Sequence, residues 1–236
     1  MTRDLERSKT GVARLFLLAS AALAGPLSGQ TEASPSVAIE SFEPLDFGTG
    51  PYEEMEALME VTILNIDVLT LTVRVGPDTA AHLGRLVEGY SEYSNELADS
   101  VAAIMLGADD AWASQVFHRD VSLGRLTGGM RETVEKAVAD EFVSEEYATA
   151  FSADLPEWFG FLGERGAKKG DTIFFRIRGD SLRTTFLTVD GQVLMDDVGM
   201  DAEGRRASIP SFFARGTRFR ERLVESLLRE EVRLRH

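Results

Sequence analysis

The sequence predicts an α+β fold: an open, curved antiparallel sheet packed under a helical layer. Three observations lead there. Met55 to Val75 carries a dense run of β-branched and aliphatic side chains. From Asp78 to about Gly166, apolar residues recur at helical spacing. After Lys168 the pattern returns to short strands joined by tight turns, and it ends in an amphipathic stripe. Strands grouped on both sides of a helical stretch put the helices on one face of a sheet.

The elements follow in order. Val61, Ile63, Ile66, Val68, Leu69, Leu71, Val73 and Val75 alternate nearly regularly with Thr62, Thr70 and Thr72, the pattern of a pleated, half-buried surface. Leu64 to Asp67 reads as the break or bulge between two strands. Gly76-Pro77-Asp78 stops the run and opens a helix. Leu83, Leu86, Val87 and Tyr90 share one helical face; Leu97, Val101, Ile104 and Met105 share another, in a helix that ends at Gly107. Val116-Phe117 reads as a short strand leading into a helix from Leu123 to Phe142, in which Leu126, Met130, Val134 and Val138 recur every four residues. Ser144, followed by Glu145 and Glu146, caps the next helix, and Pro156 to Leu162 is an aromatic helical turn.

Lys168 to Asp171 forms a turn. Strands Thr172 to Ile177 and Thr184 to Val189 flank Gly179-Asp180, and Asp190-Gly191 is a hairpin signal before Gln192 to Met195. Pro210, after Ser208, suits the first turn of a helix. Phe219, Leu223, Val224, Leu227 and Leu228 form the terminal stripe. No internal repeat or low-complexity tract interrupts this order.

Bulk properties narrow the function classes. The chain has 236 residues, 44% of them hydrophobic, and a net charge of −14. One large domain, residues 51–236, can bury a substantial core. An acidic surface repels phosphate backbones, so no nucleic-acid partner is expected. There is no cysteine, which excludes disulfides, thiolate metal sites and a cysteine nucleophile.

The N-terminus has the pattern of a secretory signal over residues 1–24. Arg3, Arg7, Lys9 and Arg14 precede the uncharged run Leu15 to Ala24, and Ala22-Leu23-Ala24 supplies small residues for cleavage. Ten apolar residues fall short of the roughly 20 that a helical membrane span requires. Cleavage leaves 21 basic and 37 acidic residues, a net charge of −16. The expected product is exported, periplasmic or secreted, without a membrane span. Residues 25–50, with Pro26, Pro35 and Pro44, read as a linker and irregular lead-in.

No familiar catalytic constellation is present. His82, His118 and His236 lack metal-ligand spacing. Gly128-Gly129 is not followed by the Gly-Lys-Ser/Thr of a phosphate loop, and no serine sits in a Gly-x-Ser-x-Gly setting. No cofactor is expected. Adjacent acids such as Asp109-Asp110 and Asp196-Asp197 read as solvated faces. Nine arginines between Arg205 and Arg235 interleave with Glu221, Glu225, Glu230 and Glu231, a charged helical surface.

Several segments carry a resemblance in their order and spacing. They are Ile66-Asp67-Val68-Leu69-Thr70-Leu71, the "FHRDVS" run Phe117–Ser122, the "KKGD" turn Lys168–Asp171, the "VDGQVL" hairpin Val189–Leu194, and Phe212-Phe213-Ala214 before the terminal helix. Together, from about Met55 to Leu228, they resemble the chalcone isomerase-like superfamily, here in an exported, bacterial-type form. The resemblance implies a hydrophobic cleft between sheet and helices. It implies two kinds of function: intramolecular ring closure of a chalcone, or non-catalytic binding of a fatty acid.

The ring-closing enzymes of that family use an Arg on the early strands with Tyr, Lys and Asn on a cleft helix, which together stabilise a phenolate and an enolate. Aligning Leu126-Thr127-Gly128 with their helix puts Arg131, Val134 and Val138 at those Tyr, Lys and Asn positions. The strand Thr falls near Leu64, with Thr62 close by. From Leu15 to Val73 there is neither Arg nor Lys, so the early strands are expected to lack the cation. The resemblance therefore implies a non-catalytic binder of a small hydrophobic molecule such as a fatty acid. Its ligand residues would be Thr62, Leu64, Ile66, Leu126, Met130, Arg131, Val134 and Val138.

Other readings stay open on the residues alone. The apolar stripe is equally that of a filled core, which would make the chain a secreted structural or interaction module. An isomerase with displaced groups would use Arg131 and Thr62. Arg131, one position off the stripe, reaches either a carboxylate at the cleft mouth or Glu135 one turn on.

Overall fold

A computed structural model describes residues 52–61 and 66–235, without the side chains of 60–67 and of residues from 230 onward. The expected signal segment 1–24 and lead-in 25–50 lie outside the described residues. The sheet runs β1 (Glu54–Val61), β2 (Ile66–Val75), β3 (Asp110–Phe117), β4 (Thr172–Arg178), β5 (Ser181–Leu187) and β6 (Val193–Gly199). The strands lie side by side in chain order, every neighbour antiparallel. Among the described residues the helices are α1 (Pro77–Val87), α2 (Asn95–Leu106), α3 (Leu123–Ala139), α4 (Glu145–Trp158), α5 (Ala202–Ala207) and α6 (Arg220–Arg235), with 3-10 turns at Gly160–Leu162 and Ile209–Phe213. This is the predicted α+β architecture, an open antiparallel sheet with a helical layer.

Register explains the core. Alternation places Met55 and Ala57 of β1, Leu71, Val73 and Val75 of β2, Ala111 and Ala113 of β3, Ile173 and Ile177 of β4 and Phe186 of β5 on one face, all at most 2% exposed. Ring contacts tie this face to the helical layer: Phe175 meets Phe212 at 6.1 Å, and Phe186 meets Phe161 at 5.5 Å. The opposite face carries Arg74, Trp112, Phe174, Arg176 and Arg183. Trp112 contacts Phe174 at 5.7 Å, with Arg74 stacked 5.9 Å from its ring.

Four elements differ from their sequence expectations, the first being β5, which runs Ser181–Leu187 rather than Thr184 to Val189. Val116-Phe117 is only the end of the eight-residue β3. Ala111, Ala113 and Ser114 are weak β-formers, but small residues suit a central strand beneath helices. β6 extends to Gly199 through Asp196 and Asp197 because a strand at a sheet edge tolerates solvated charges. The helix begun at Leu123 ends at Ala139 rather than Phe142. There the Phe142 N–H bonds to Ala137 O at 2.8 Å and the Glu141 N–H to Val138 O at 2.9 Å. Glu141 takes φ 61°, the left-handed conformation that closes such helix ends, although it is not glycine. The reversal turns Phe142 and Val143 into the core.

The sheet's two edges are treated differently. At β1, Ser226 Oγ of α6 accepts the Glu56 N–H at 3.2 Å, and the Arg222 guanidinium donates to Leu58 O. These side chains occupy edge groups that would otherwise template another strand.

The "FHRDVS", "KKGD" and "VDGQVL" segments converge around one residue, Asp171. Asp171 is fully buried. Its oxygens accept both terminal nitrogens of Arg165 at 2.6 and 3.1 Å, the Lys168 N–H at 2.8 Å and the Val189 N–H at 3.1 Å. Its backbone carbonyl accepts the Phe117 N–H at 3.0 Å, while the Gly170 N–H donates to Phe117 O at 2.7 Å. Asp120 binds Lys168 Nζ at 2.8 Å and the Lys169 N–H at 3.1 Å. Two glycines make the approach possible. A Cβ on Gly166, at φ +64°, would lie 2.4 Å from Val121 O, and one on Gly170, at φ +88°, would lie 2.5 Å from the Val189 side chain.

Replacing Asp171 by Asn keeps the shape but leaves Arg165 without its counter-ion. Because Arg165 is partly solvated, the expected loss is about 2–3 kcal/mol, below the cost of breaking a fully buried pair. Urea unfolding of D171N measures it, as a lower midpoint at unchanged slope.

Candidate functional site

Helix α3 is the element on which the sequence places most candidate residues. Ser122 caps it, its hydroxyl accepting the Arg125 N–H at 3.4 Å. The stripe of four divides in the fold. Leu126 and Val134 are buried, at 6% and 2% exposure, whereas Met130 and Val138 are half-buried against the core's margin. The deeply buried face also contains Thr127 and Ala137. Thr127 answers its own hydroxyl by donating to Leu123 O at 3.0 Å. The inner part of the predicted lining is thus packed, and the partly open part is Met130 and Val138.

The strand side of the predicted site falls on residues whose side chains are not described. Thr62 and Leu64 lie outside the described residues. The backbone of Ile66 opens β2 opposite Val61, and its side chain also lies outside them.

Arg131 has a partner that sequence reasoning missed. Its Nε and Nη2 donate to Ser152 O of α4 at 3.4 and 3.3 Å. The reason lies one turn further along α4. Pro156 has no N–H to give the carbonyl four residues back, so Ser152 O is left without its helical donor. Arg131 supplies one from the neighbouring helix. Lys136 pairs within α3 with Glu132, at 2.6 Å. Among the described residues Arg131 has no carboxylate partner; the expected pairing with Glu135 does not form.

The strand cation needs a correction. β2 continues to Val75 and so includes Arg74, beyond the stretch that lacks bases. Pleating turns Arg74 to the face away from the helices, where it binds Glu54 Oε2 at 2.6 Å and stacks on Trp112. The Arg-rich C-terminal region also delivers a guanidinium to the interior. Arg220 is 4% exposed, donates to Phe213 O at 2.8 Å and Asn95 O at 3.3 Å, and pairs with Asp99. Hydrogen bonds from Arg215 and Arg220 hold the Asp99 carboxyl at about 2, well below its ordinary value. Arg205 likewise donates to Ala108 O at 2.7 Å.

Two depressions open at the surface. One, of about 520 Å³, is lined by Val138, Glu141, Phe142, Val143, Ser144, Glu145, Glu203 and Arg206. Its polar groups are largely engaged: Glu203 accepts the Ser144 N–H at 2.7 Å and its hydroxyl at 3.2 Å, and Arg206 donates to Phe142 O at 3.4 Å. The other, of about 420 Å³, surrounds the Asp99–Arg215–Arg220 cluster. Beside Glu203 of the first depression, burial, reinforced by Asp201 and Glu203, pushes the Tyr147 phenol above its ordinary range. His118 shares a hydrogen bond with Thr70 at 2.7 Å. No group of three or more metal-ligating side chains occurs among the described residues.

Outer helix α4 is held lightly. Leu155 is its one fully buried residue; Tyr147 stacks on Phe151 at 6.0 Å, and Phe151 meets Trp158 edge-on at 5.6 Å. Its start is tied to α5 through Glu203, and its end leads to Phe161 on Phe186 of β5.

No protein-family model matches the chain, and no curated protein does. Among solved structures, a fatty-acid binding protein of Arabidopsis thaliana is similar over 76% of this chain and 87% of that one, at 14% identity and a TM-score of 0.43. A likeness of that degree carries no inference about ligand or activity.

Arg131→Ala is expected to cost about 1 kcal/mol, the worth of an ordinary hydrogen bond. In a Pro156→Ala background, where residue 156 can donate to Ser152 O itself, that cost should fall toward zero. A thermal-unfolding double-mutant cycle reads the coupling.

Proposed function

We propose that this chain is an exported, non-catalytic protein of the chalcone isomerase-like type that binds a small hydrophobic acid, of fatty-acid character, at the margin of α3. The observation that carries the reading is the state of the cations. Arg74 faces away from the helices and Arg205 and Arg220 are engaged, and Val134 and Val138 hold the positions where the resemblance implies donors to an enolate. Arg131 is bonded only to a neutral carbonyl among the described residues, beside half-buried Met130 and Val138. A ligand carboxylate is a better acceptor for a guanidinium than an amide carbonyl. The acyl chain would spread over Met130 and Val138, with Leu126 and Val134 as the floor; Thr62, Leu64 and the side chain of Ile66, the strand-side residues that the sequence assigns, lie outside the described residues. The packed state of Leu126 and Val134 supports a second reading, a structural module with a filled cleft.

Calorimetry with laurate and dodecanol separates the two readings. Binding of both, with Arg131→Gln weakening laurate about tenfold, the worth of a charged hydrogen bond, and leaving dodecanol unchanged, is the expected result. Binding of neither favours the filled cleft. Chalcone turnover well above the spontaneous rate would overturn the non-catalytic reading.

Export has its own check, independent of ligand binding. The intact mass of the protein recovered from its own host should correspond to a chain lacking about residues 1–24. A full-length mass would contradict cleavage.

A further inference from the structure

The described residues expose six large hydrophobic side chains, and four of them sit on or beside one strand. Val193 and Val198 belong to β6, Val189 and Met200 flank it, and Val198 and Met200 are 61% and 82% exposed. β6 is also the end of the sheet, and among the described residues no hydrogen bond reaches its outer edge. The contrast with β1, whose edge groups Ser226 and Arg222 occupy, is direct. An open edge with apolar side chains is a template for strand addition.

Two carboxylates decide what can add. Asp196 is paired with Arg183 and Thr185, at 2.7 and 3.0 Å, on one face. Asp197 projects from the other face, exposed and without an ion-pair partner among the described residues. A second copy pairing antiparallel about either position would set an aspartate directly opposite its own copy, an unfavourable cross-strand pair. A strand carrying Lys or Arg at that position gains the opposite pairing, so the edge discriminates by sign.

We propose that the outer edge of β6 is a docking site for an extended basic segment of a partner protein. The segment adds as a further antiparallel or parallel strand, with a cationic side chain against Asp197 and apolar side chains over Val198. Backbone pairing supplies the attachment, and the carboxylates select against self-association. This site is separate from α3 and does not depend on the ligand proposed there.

The probe is a blocked seven-residue peptide of alternating Val and Lys, titrated into the full chain while backbone amide resonances are followed. Expected are shifts and slowed exchange confined to Val193–Gly199. Asp197→Lys should weaken this peptide about tenfold and strengthen its Val/Glu counterpart similarly. A Val/Lys peptide N-methylated at its backbone keeps every charge but cannot pair, and should not bind. Equal binding of the N-methylated peptide, shifts elsewhere, or no binding overturns the proposal. Concentration-dependent protection of β6 without peptide would also overturn it, in favour of a second copy.

Discussion

The buried carboxylate of Asp171 is the constraint on which the arrangement depends. A desolvated charge is tolerable only when its lone pairs are filled, and here they are filled from two parts of the chain: Arg165 and the Lys168 N–H before β4, and the Val189 N–H in the β5–β6 hairpin. That requirement fixes the start of β4 and the β5–β6 hairpin relative to one another, and the backbone bonds of Phe117 with Gly170 and Asp171 add the end of β3. Gly166 and Gly170 are the backbone conditions for it, since a side chain at either would collide with Val121 or Val189. The conspicuous motifs of the sequence are therefore a structural clasp. Their polar groups face one another and are consumed in doing so.

The same pattern extends across the helical layer. Arg220 is consumed by Asp99 and two carbonyls, Arg205 by a carbonyl, and Glu203 by the cap of α4. Catalysis of an enolate reaction needs unspent donors aimed at a developing charge. Arg131, like Arg206, has only neutral carbonyl acceptors among the described residues; what sets it apart is that Pro156 has left its acceptor over. Its position beside partly open apolar side chains supports holding an acid more readily than transforming one.

The fold was legible where periodicity and punctuation agree. The run through β2, the Pro77 and Ser144 helix starts and the Gly107 stop all stand as read. What was not legible has physical causes. β3 hides because its central residues are small. The end of α3 hides because Glu141 adopts a glycine-like conformation, and β6 hides because its middle is charged. At the site, sequence spacing gave the Leu126–Val138 stripe but not its division into buried and half-buried members, which depends on the Phe142 reversal and on α4. The Arg131–Ser152 contact joins residues on two helices. Only Pro156, a helix-interior residue lacking an N–H, signalled that an acceptor would be free. Arg74 lies inside the predicted run, but the face it takes depends on its register with β1 and β3, where it stands opposite Glu54 and Trp112.

The central claim is that this molecule holds a hydrophobic acid and does not transform it. Native mass spectrometry of the protein purified from its own host tests it most directly. The account predicts a species heavier than the bare chain by the mass of an acyl-chain acid, released intact and chemically unaltered on gentle activation. A bare-chain mass under conditions that preserve such complexes, or release of a cyclised product, would contradict it.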